Sequence, residues 1–112
     1  MVLATPALFD EGWKPAWLHG GRPPGLHERA DVKLTLVSAC VPRWRPISGW
    51  NFEAGKMGPK AARRLAPAGS VFFFEASGGT SALANLWLWP MSDLPQDRKD
   101  GFGLALWGDW SE

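Results

Sequence analysis

The chain has 112 residues, of which 46% are hydrophobic, and a formal net charge of +1. This length predicts one domain covering residues 1–112, with a hydrophobic core and, given 13 glycines and 10 prolines, many loops. Cys40 is the only cysteine, which excludes an internal disulfide framework and favours a reducing compartment. No apolar run approaches the ~20 residues of a membrane-spanning helix, and we see no signal peptide. We therefore expect a soluble, cytoplasmic protein without a membrane partner.

Two segments in the first half of the chain have strand patterns. Residues 2–9 are mostly apolar, and Pro6 predicts that this strand lies at a sheet edge, because proline cannot donate a ladder hydrogen bond. Residues 31–42 alternate between apolar and polar side chains, with a change of phase at Leu36 and Val37. This slip predicts either a β-bulge or a strand buried on both faces.

A long segment without a regular pattern follows. Residues 42–67 show no sustained periodicity, and loops of this length inside compact domains are usually functional or disordered. Residues 71–76 then have a clear strand pattern. Their three consecutive phenylalanines, Phe72 to Phe74, indicate that both faces of this strand are covered.

The last third of the chain predicts a helix, a loop and a strand. Residues 81–88 favour a short helix that is capped by Thr80 and ended by Pro90. We expect a polar loop over residues 92–100 and a final strand over residues 103–110. The order strand, long loop, strand, helix, glycine-rich loop and strand matches the second half of a ferredoxin-like βαββαβ unit, which is an α+β fold.

Positive charge is concentrated in the middle of the chain. The segment from Arg43 to Arg64 contains one acid, Glu53, and has a local charge of +5, so the rest of the chain sums to −4. A basic block in an otherwise acidic chain predicts contact with nucleic acid. The alternative is a solvated loop whose charges meet the acids of a partner protein. The cations of the block are Arg43, Arg45, Lys56, Lys60, Arg63 and Arg64.

Eight tryptophans and no tyrosine are unusual for a chain of this size. Trp44 and Trp50 lie inside the basic block, where an indole can stack on an RNA base. A role in a core or an interface is the alternative for both. We interpret four others as packing residues, namely Trp13, Trp17, Trp87 and Trp89.

Gly101, Phe102 and Gly103 form a short motif before the last predicted strand. Glycine accepts a positive φ and allows a second backbone to approach closely, so the motif indicates a tight turn from loop to strand. A nest of exposed amides that binds a phosphate is the other interpretation.

Catalytic and metal chemistry has little support in the sequence. The segment from Gly49 to Met57 does not match a P-loop motif. Five residues, instead of four, separate Gly49 from Gly55, and Met57 stands where the motif requires serine or threonine. One cysteine and two histidines, His19 and His27, are too few for a metal cluster. The histidines could serve an acid–base ribonuclease, but a plain surface role fits each of them better. We predict no catalytic residue, no metal and no cofactor.

Several motifs occur in an order that is similar to one protein family. They are Leu3 to Trp13, Ile47 to Asn51, Gly58 to Lys60 with Arg63 and Arg64, Pro67 to Glu75, and Gly101 to Gly108. Together they resemble the third subunit of the type III-B CRISPR effector, the Cmr complex, a family of the RAMP superfamily. The resemblance spans nearly the whole chain. It implies that the chain corresponds to the C-terminal portion of family members, which are considerably longer.

The resemblance implies a ferredoxin-like (RRM-like) RAMP module without catalytic activity. It implies an antiviral role in which the subunit holds the 5′ tag of the CRISPR guide RNA and contacts the large polymerase-like subunit and a backbone subunit. We expect the basic block and the glycine loop to share one side of the sheet and to cradle RNA. The RNA-binding residues of this hypothesis are Ser48, Gly49, Trp50, Lys56, Lys60, Arg63, Arg64, Gly101, Phe102 and Gly103.

Two other functions stay open at this point. The same surface could be an interaction module that docks neighbouring effector subunits, with incidental RNA contact. A RAMP-type endoribonuclease is the last alternative, and it would require His27. Neither histidine lies in a motif that carries the resemblance.

Overall fold

A computed structural model describes residues 1–43, 45–47, 50–51, 58–59 and 63–109. Its strands in chain order are β1 (Val2–Leu3), β2 (Lys33–Cys40), β3 (Arg45–Ile47), β4 (Trp50–Asn51), β5 (Gly58–Pro59), β6 (Arg63–Leu65), β7 (Val71–Ser77) and β8 (Ala105–Leu106). The helices are two 3₁₀ helices, Ala16–His19 and Thr80–Leu86, and the α-helix α1 (Pro95–Lys99).

Four of the strands form an antiparallel sheet in the order β2-β7-β1-β8. With the short helices, this gives a small α+β architecture. The expectation that the first strand lies at an edge is wrong, because β1 pairs with both β7 and β8. The physical reason is that the paired residues end at Leu3, so the missing N–H of Pro6 falls outside the ladder.

The prediction of two long strands is confirmed, with slightly different ends. β2 and β7 pair along nearly their whole lengths, and the register shifts between Leu36 and Ser38. Val37 is therefore the extra residue of a β-bulge, which is the first of the two interpretations of the phase slip. After the bulge, Ala39 lies opposite Phe72.

The core lies against one face of this sheet. Phe72 and Leu3 are almost fully buried and contact other buried residues from distant parts of the chain. Phe72 meets Phe9 edge to face, with ring centroids 6.1 Å apart, and stacks on Phe74 at 6.5 Å. The expectation that both faces of β7 are covered holds only in part, since Phe73 is half-buried and the strand's last three residues are exposed.

The helical predictions need two corrections. The helix expected over residues 81–88 is a 3₁₀ helix, Thr80–Leu86, and its N-cap is Gly79, with no side-chain cap bond. 3₁₀ geometry is common in short helical pieces and connectors such as this one. The loop expected over residues 92–100 contains α1, which begins at Pro95, where a missing N–H costs nothing.

Two expectations about extended structure also change. The last strand is Ala105–Leu106 alone, preceded by a single bridge between Leu104 and Pro90. The segment 42–67 is not irregular throughout: β3 pairs with β6, and β4 pairs with β5. Both pairs are antiparallel, so the described parts of the basic block form a nested, hairpin-like ladder that sequence periodicity did not indicate.

Asp93 joins loops that are far apart in the sequence. Its carboxylate accepts hydrogen bonds from the amide of Asp10 at 2.7 Å and from the amide of Ala16 at 3.0 Å. Its own amide donates to the carbonyl of Leu8, and its carbonyl accepts from the Arg98 guanidinium. Burial raises the pKa of the Asp93 carboxyl above its ordinary value, although the amide hydrogen bonds oppose this rise.

In the described part of the chain, no helix has the length and apolar character needed to cross a membrane.

The first prediction concerns Asp93→Asn and pH. A raised pKa means that the folded protein holds this proton more tightly than the unfolded chain does. The advantage of the wild type over Asp93→Asn in free energy of unfolding should therefore be greatest below the ordinary aspartate pKa. It should fall as the pH rises through the raised pKa. Urea unfolding of both proteins between about pH 3 and about pH 7 measures this difference. A difference that increases with pH would contradict the prediction.

Candidate functional site

The glycine motif forms a tight turn between α1 and β8. Gly101 and Gly103 both have left-handed backbones, with φ of 86° and 85°. The amide of Gly101 donates to the carbonyl of Arg98, and the amide of Phe102 donates to the carbonyl of Asp97. The amide of Gly103 donates to the carbonyl of Pro6 at 2.7 Å. The turn is thus bonded to the preceding helix on one side and to the N-terminal segment on the other.

Two hydroxyl groups brace this turn from outside. Thr5 Oγ1 donates to the carbonyl of Gly101 at 2.8 Å and accepts from the amide of Leu104 at 2.9 Å. Ser92 Oγ donates to the carbonyl of Phe102 at 2.8 Å and accepts from the amide of Leu8 at 3.0 Å. Thr5 and Ser92 therefore position the loop, and nothing in their local sequence pattern marked them for this role.

The geometry of the glycine loop differs from the expectation of exposed, phosphate-binding amides. The N–H groups of Gly101, Phe102 and Gly103 all donate to oxygens of the same chain. Gly103 is also buried, whereas Gly101 and the Phe102 side chain are half-buried. The loop corresponds to the first interpretation, a turn from loop into strand. Contact of its remaining atoms with RNA stays a prediction.

The predicted residues of the basic block are described unevenly. Ser48, Gly49, Lys56 and Lys60 lie outside the described residues, as does Trp44. The backbone of Trp50 belongs to β4 and that of Arg63 to β6, where they pair with Pro59 and Ile47. Arg64 is described fully and its side chain is exposed.

The N-terminal segment links the base of this ladder to the glycine loop. Ala7 exchanges two backbone hydrogen bonds of 2.9 Å with Ala66, the residue after β6. A Cβ placed on Gly103 would lie 3.2 Å from the Ala7 side chain, so the two residues are in contact. That the basic block and the glycine loop together face one RNA strand stays a prediction, because Lys56 and Lys60 are not described.

A groove opens where the ladder leaves the sheet. Its cavity has a volume of about 410 Å³. Arg64 and Arg43, the two ends of the basic block, line it together with Trp13, whose side chain is 45% exposed. Gly12 also lines the groove and lies near Arg64, since a Cβ on Gly12 would lie 3.8 Å from Cδ of Arg64. Among the described residues, the others that line the groove are Glu11, Ala39, Val41 and Pro42.

The interpretation of four tryptophans as packing residues is only partly right. Trp17 is half-buried, contacts Phe74 and donates its indole N–H to the carbonyl of Met91 at 3.0 Å. By contrast, Trp13, Trp87 and Trp89 are exposed by 45%, 58% and 46%. The signal for Trp13 was present in the sequence: it directly follows the polar Asp10-Glu11-Gly12 turn, where a side chain has little to pack against.

The histidines form no catalytic arrangement with the described residues. His19 Nε2 lies 3.2 Å from Oε1 of Glu11 in an exposed pair. His27 is exposed, and its Nδ1 accepts from the amide of Arg29 two residues later. In the same part of the chain, no group of three or more histidine, cysteine or acidic side chains could hold a metal ion.

A comparison with models of protein families shows the family to which the chain belongs. The family model of the CRISPR-associated protein (Cas_Cmr3) matches residues 1–110. The chain belongs to this family. A search of curated proteins and a search of solved structures gave no match.

Membership of the Cas_Cmr3 family confirms the resemblance drawn from the sequence motifs. It identifies the chain as a CRISPR-associated protein and as a subunit of the multi-subunit Cmr complex of type III-B systems. The match includes both the groove and the glycine loop. Within the matched residues, the amides of the glycine loop are bonded internally, whereas the groove lined by Arg43 and Arg64 is open.

The second prediction tests the structural role of the glycine loop. Gly103→Ala would place a Cβ 2.8 Å from Ser92 Oγ and 2.9 Å from its amide, in addition to the cost of a left-handed alanine. Gly101→Ala should lower the free energy of unfolding by roughly 1–2 kcal/mol, the cost of a left-handed backbone at alanine. It adds no steric clash, since no atom lies within 4 Å of the added carbon. We expect Gly103→Ala to lose about 1–3 kcal/mol more than Gly101→Ala in urea unfolding. Equal losses would show that the close packing is unimportant.

Proposed function

We propose that this chain is a non-catalytic, cytoplasmic RNA-binding subunit of a type III-B effector complex. In this proposal it holds the 5′ tag of the CRISPR guide RNA during antiviral defence. The observation that carries the proposal is the basic block, +5 over residues 43–64, in a chain of the Cas_Cmr3 family. Clustered lysine and arginine side chains neutralise RNA phosphates and release counterions, so they supply affinity with little sequence information.

The sheet supports the assignment of a ferredoxin-like RAMP module. In a split βαβ unit, an antiparallel strand lies between the two strands that the crossover connects. Here β7 lies between β1 and β2, and β1 lies between β7 and β8. The 3₁₀ helix Ala16–His19 falls in the first crossover, and Thr80–Leu86 with α1 falls in the second. We infer a ferredoxin-like sheet whose crossover helices are short.

The proposed partners are the guide RNA, the large polymerase-like subunit and a backbone subunit. The proposal leaves RNA cutting to the backbone subunits. This part of the proposal is supported by the contacts of the two histidines. His19 is paired with Glu11, and His27 accepts a hydrogen bond from the amide of Arg29 in its own loop. An endoribonuclease dependent on His27 is accordingly the weakest of the alternatives.

A second candidate function is the docking of a neighbouring subunit, and one surface favours it. Trp87, Leu88 and Trp89 are consecutive and exposed by 58%, 46% and 46%. Leu88 has a φ of 58°, a strained conformation for a leucine, and its amide donates to the carbonyl of Ala105. The strand edge of β8 thus holds an apolar segment at the surface, and exposed apolar patches of this kind commonly mark protein interfaces.

The third prediction tests RNA binding by the basic block. Lys60→Ala combined with Arg63→Ala should weaken binding of a guide RNA with its 5′ tag. It should also reduce the slope of log K against log salt by roughly 1.4, because each lost contact with single-stranded RNA removes about 0.7. Filter binding at several salt concentrations measures both quantities.

The matched control for this experiment is Arg29→Ala combined with Lys33→Ala. It removes the same charge from two exposed cations outside the block. The control should keep a wild-type salt slope. Equal effects of the two pairs would show that binding depends on net charge alone, and unchanged affinity in the block variant would refute the assignment.

The fourth prediction tests docking. Trp87→Ala should reduce recovery of neighbouring effector subunits to less than about a tenth, since an interface tryptophan commonly contributes about 2 kcal/mol. Co-purification after nuclease treatment and in high salt measures this recovery without RNA bridging. Trp13→Ala, also an exposed tryptophan, is the control and should leave recovery unchanged. Full recovery with Trp87→Ala would remove this surface from consideration.

A further inference from the structure

The groove beside Trp13 combines three features that suit a nucleotide. It has an apolar floor, an exposed indole and two guanidinium groups, and its volume of about 410 Å³ lies in the range of roughly 300–1,000 Å³ typical of ligand pockets. The floor consists of Ala39, Val41 and Pro42. Arg64 belongs both to the predicted RNA-binding residues and to the lining of the groove.

We propose that this groove holds one unpaired nucleotide of the bound RNA, with its base against Trp13 and its phosphate at Arg43. This inference rests on the proposed RNA-binding function and names a site for it. Single-stranded RNA is recognised largely by stacking of splayed bases on aromatic side chains, next to cations that track the backbone. The groove brings both of these elements together.

The charges of the groove favour one orientation of the nucleotide. Arg43 is exposed and does not take part in the ion pair between His19 and Glu11. Its guanidinium can therefore bind a phosphate. Glu11 also lines the groove, two residues before Trp13 in the sequence, and its carboxylate would repel a nearby phosphate. The same carboxylate can accept from the amino group of a base, so we assign the base to Trp13 and the phosphate to Arg43.

The turn before Trp13 is held by a hydrogen bond and by a buried residue. It closes with a hydrogen bond of 3.0 Å from the amide of Gly12 to the carbonyl of Phe9, and Phe9 is buried against Phe72. The indole therefore follows an anchored turn, and such preorganisation lowers the entropic cost of stacking a base.

The experiment couples a protein variant to a missing base. The full chain is titrated by fluorescence anisotropy with the single-stranded 5′-tag oligonucleotide, and with versions in which one nucleotide at a time is abasic. We expect Trp13→Ala to weaken binding of the intact RNA roughly 5- to 30-fold, the effect of losing one base–aromatic stack. One abasic RNA should bind the wild type equally weakly, and Trp13→Ala should lose nothing further with it.

Matched variants separate stacking from general effects. Trp13→Phe should retain part of the affinity, since it keeps an aromatic ring, and Trp13→Leu should behave like Trp13→Ala. Trp87→Ala removes a similarly exposed tryptophan that does not line the groove and should bind like the wild type. If Trp13→Ala proves unfolded by circular dichroism, Trp13→Leu and the abasic series with wild-type protein decide the question.

The two proposals fail in distinguishable ways. If the block variant with Lys60→Ala and Arg63→Ala loses affinity while Trp13→Ala binds normally, the nucleotide site is refuted and the RNA-binding function stands. If the loss in Trp13→Ala is the same for every abasic RNA, Trp13 does not contact a base and the site is again refuted. If the wild type binds no RNA, both proposals are wrong.

Discussion

The insertion of the N-terminal segment between distant parts of the chain is the constraint on which the described structure depends. β1 supplies an inner strand of the sheet, and the Thr5 hydroxyl bonds to residues 96 to 99 positions away in sequence. Ala7 and Leu8 continue these links to Ala66 and Ser92. Such contacts close very long loops, and their entropic cost is offset only when strand pairing, burial and hydroxyl bonding form together. The sheet, the glycine loop and the groove wall therefore form as one cooperative unit.

Two described regions that the sequence analysis assigned to RNA binding differ in how their polar groups are used. The glycine loop uses its amides internally, and its conformation positions β8 against the N-terminal segment. The groove lies at the other end of the same segment, beside Trp13 and Arg64. A change in the loop is therefore expected to act on the groove through the stability of the fold. Subunit docking through Trp87 would use a third surface, which lets one small protein face several neighbours.

The parts of the fold that were predictable from sequence are those decided by local pattern. β7 and the bulged strand β2 follow from apolar alternation and its slip of phase. The inner position of β1 was not predictable, because two paired residues carry almost no periodic signal and their partners are distant in sequence. The basic block was visible as composition, but its ladder was not. Trp13 was misread because an indole in isolation favours burial, and only its turn shows that it is exposed.

The bulge at Val37 lets β2 contribute side chains both to the core and to the groove. Before it, the even-numbered Leu34 and Leu36 face the core; after it, the odd-numbered Ala39 and Val41 do, and these continue into the groove floor. The single additional residue changes which alternate side chains face the core, so that Ala39 and Val41 at the far end of the strand line the groove. Deleting Val37 would remove the bulge and still leave Ala39 opposite Phe72, whereas pairing the strand without a bulge while keeping Val37 would turn Ala39 and Val41 to the opposite face.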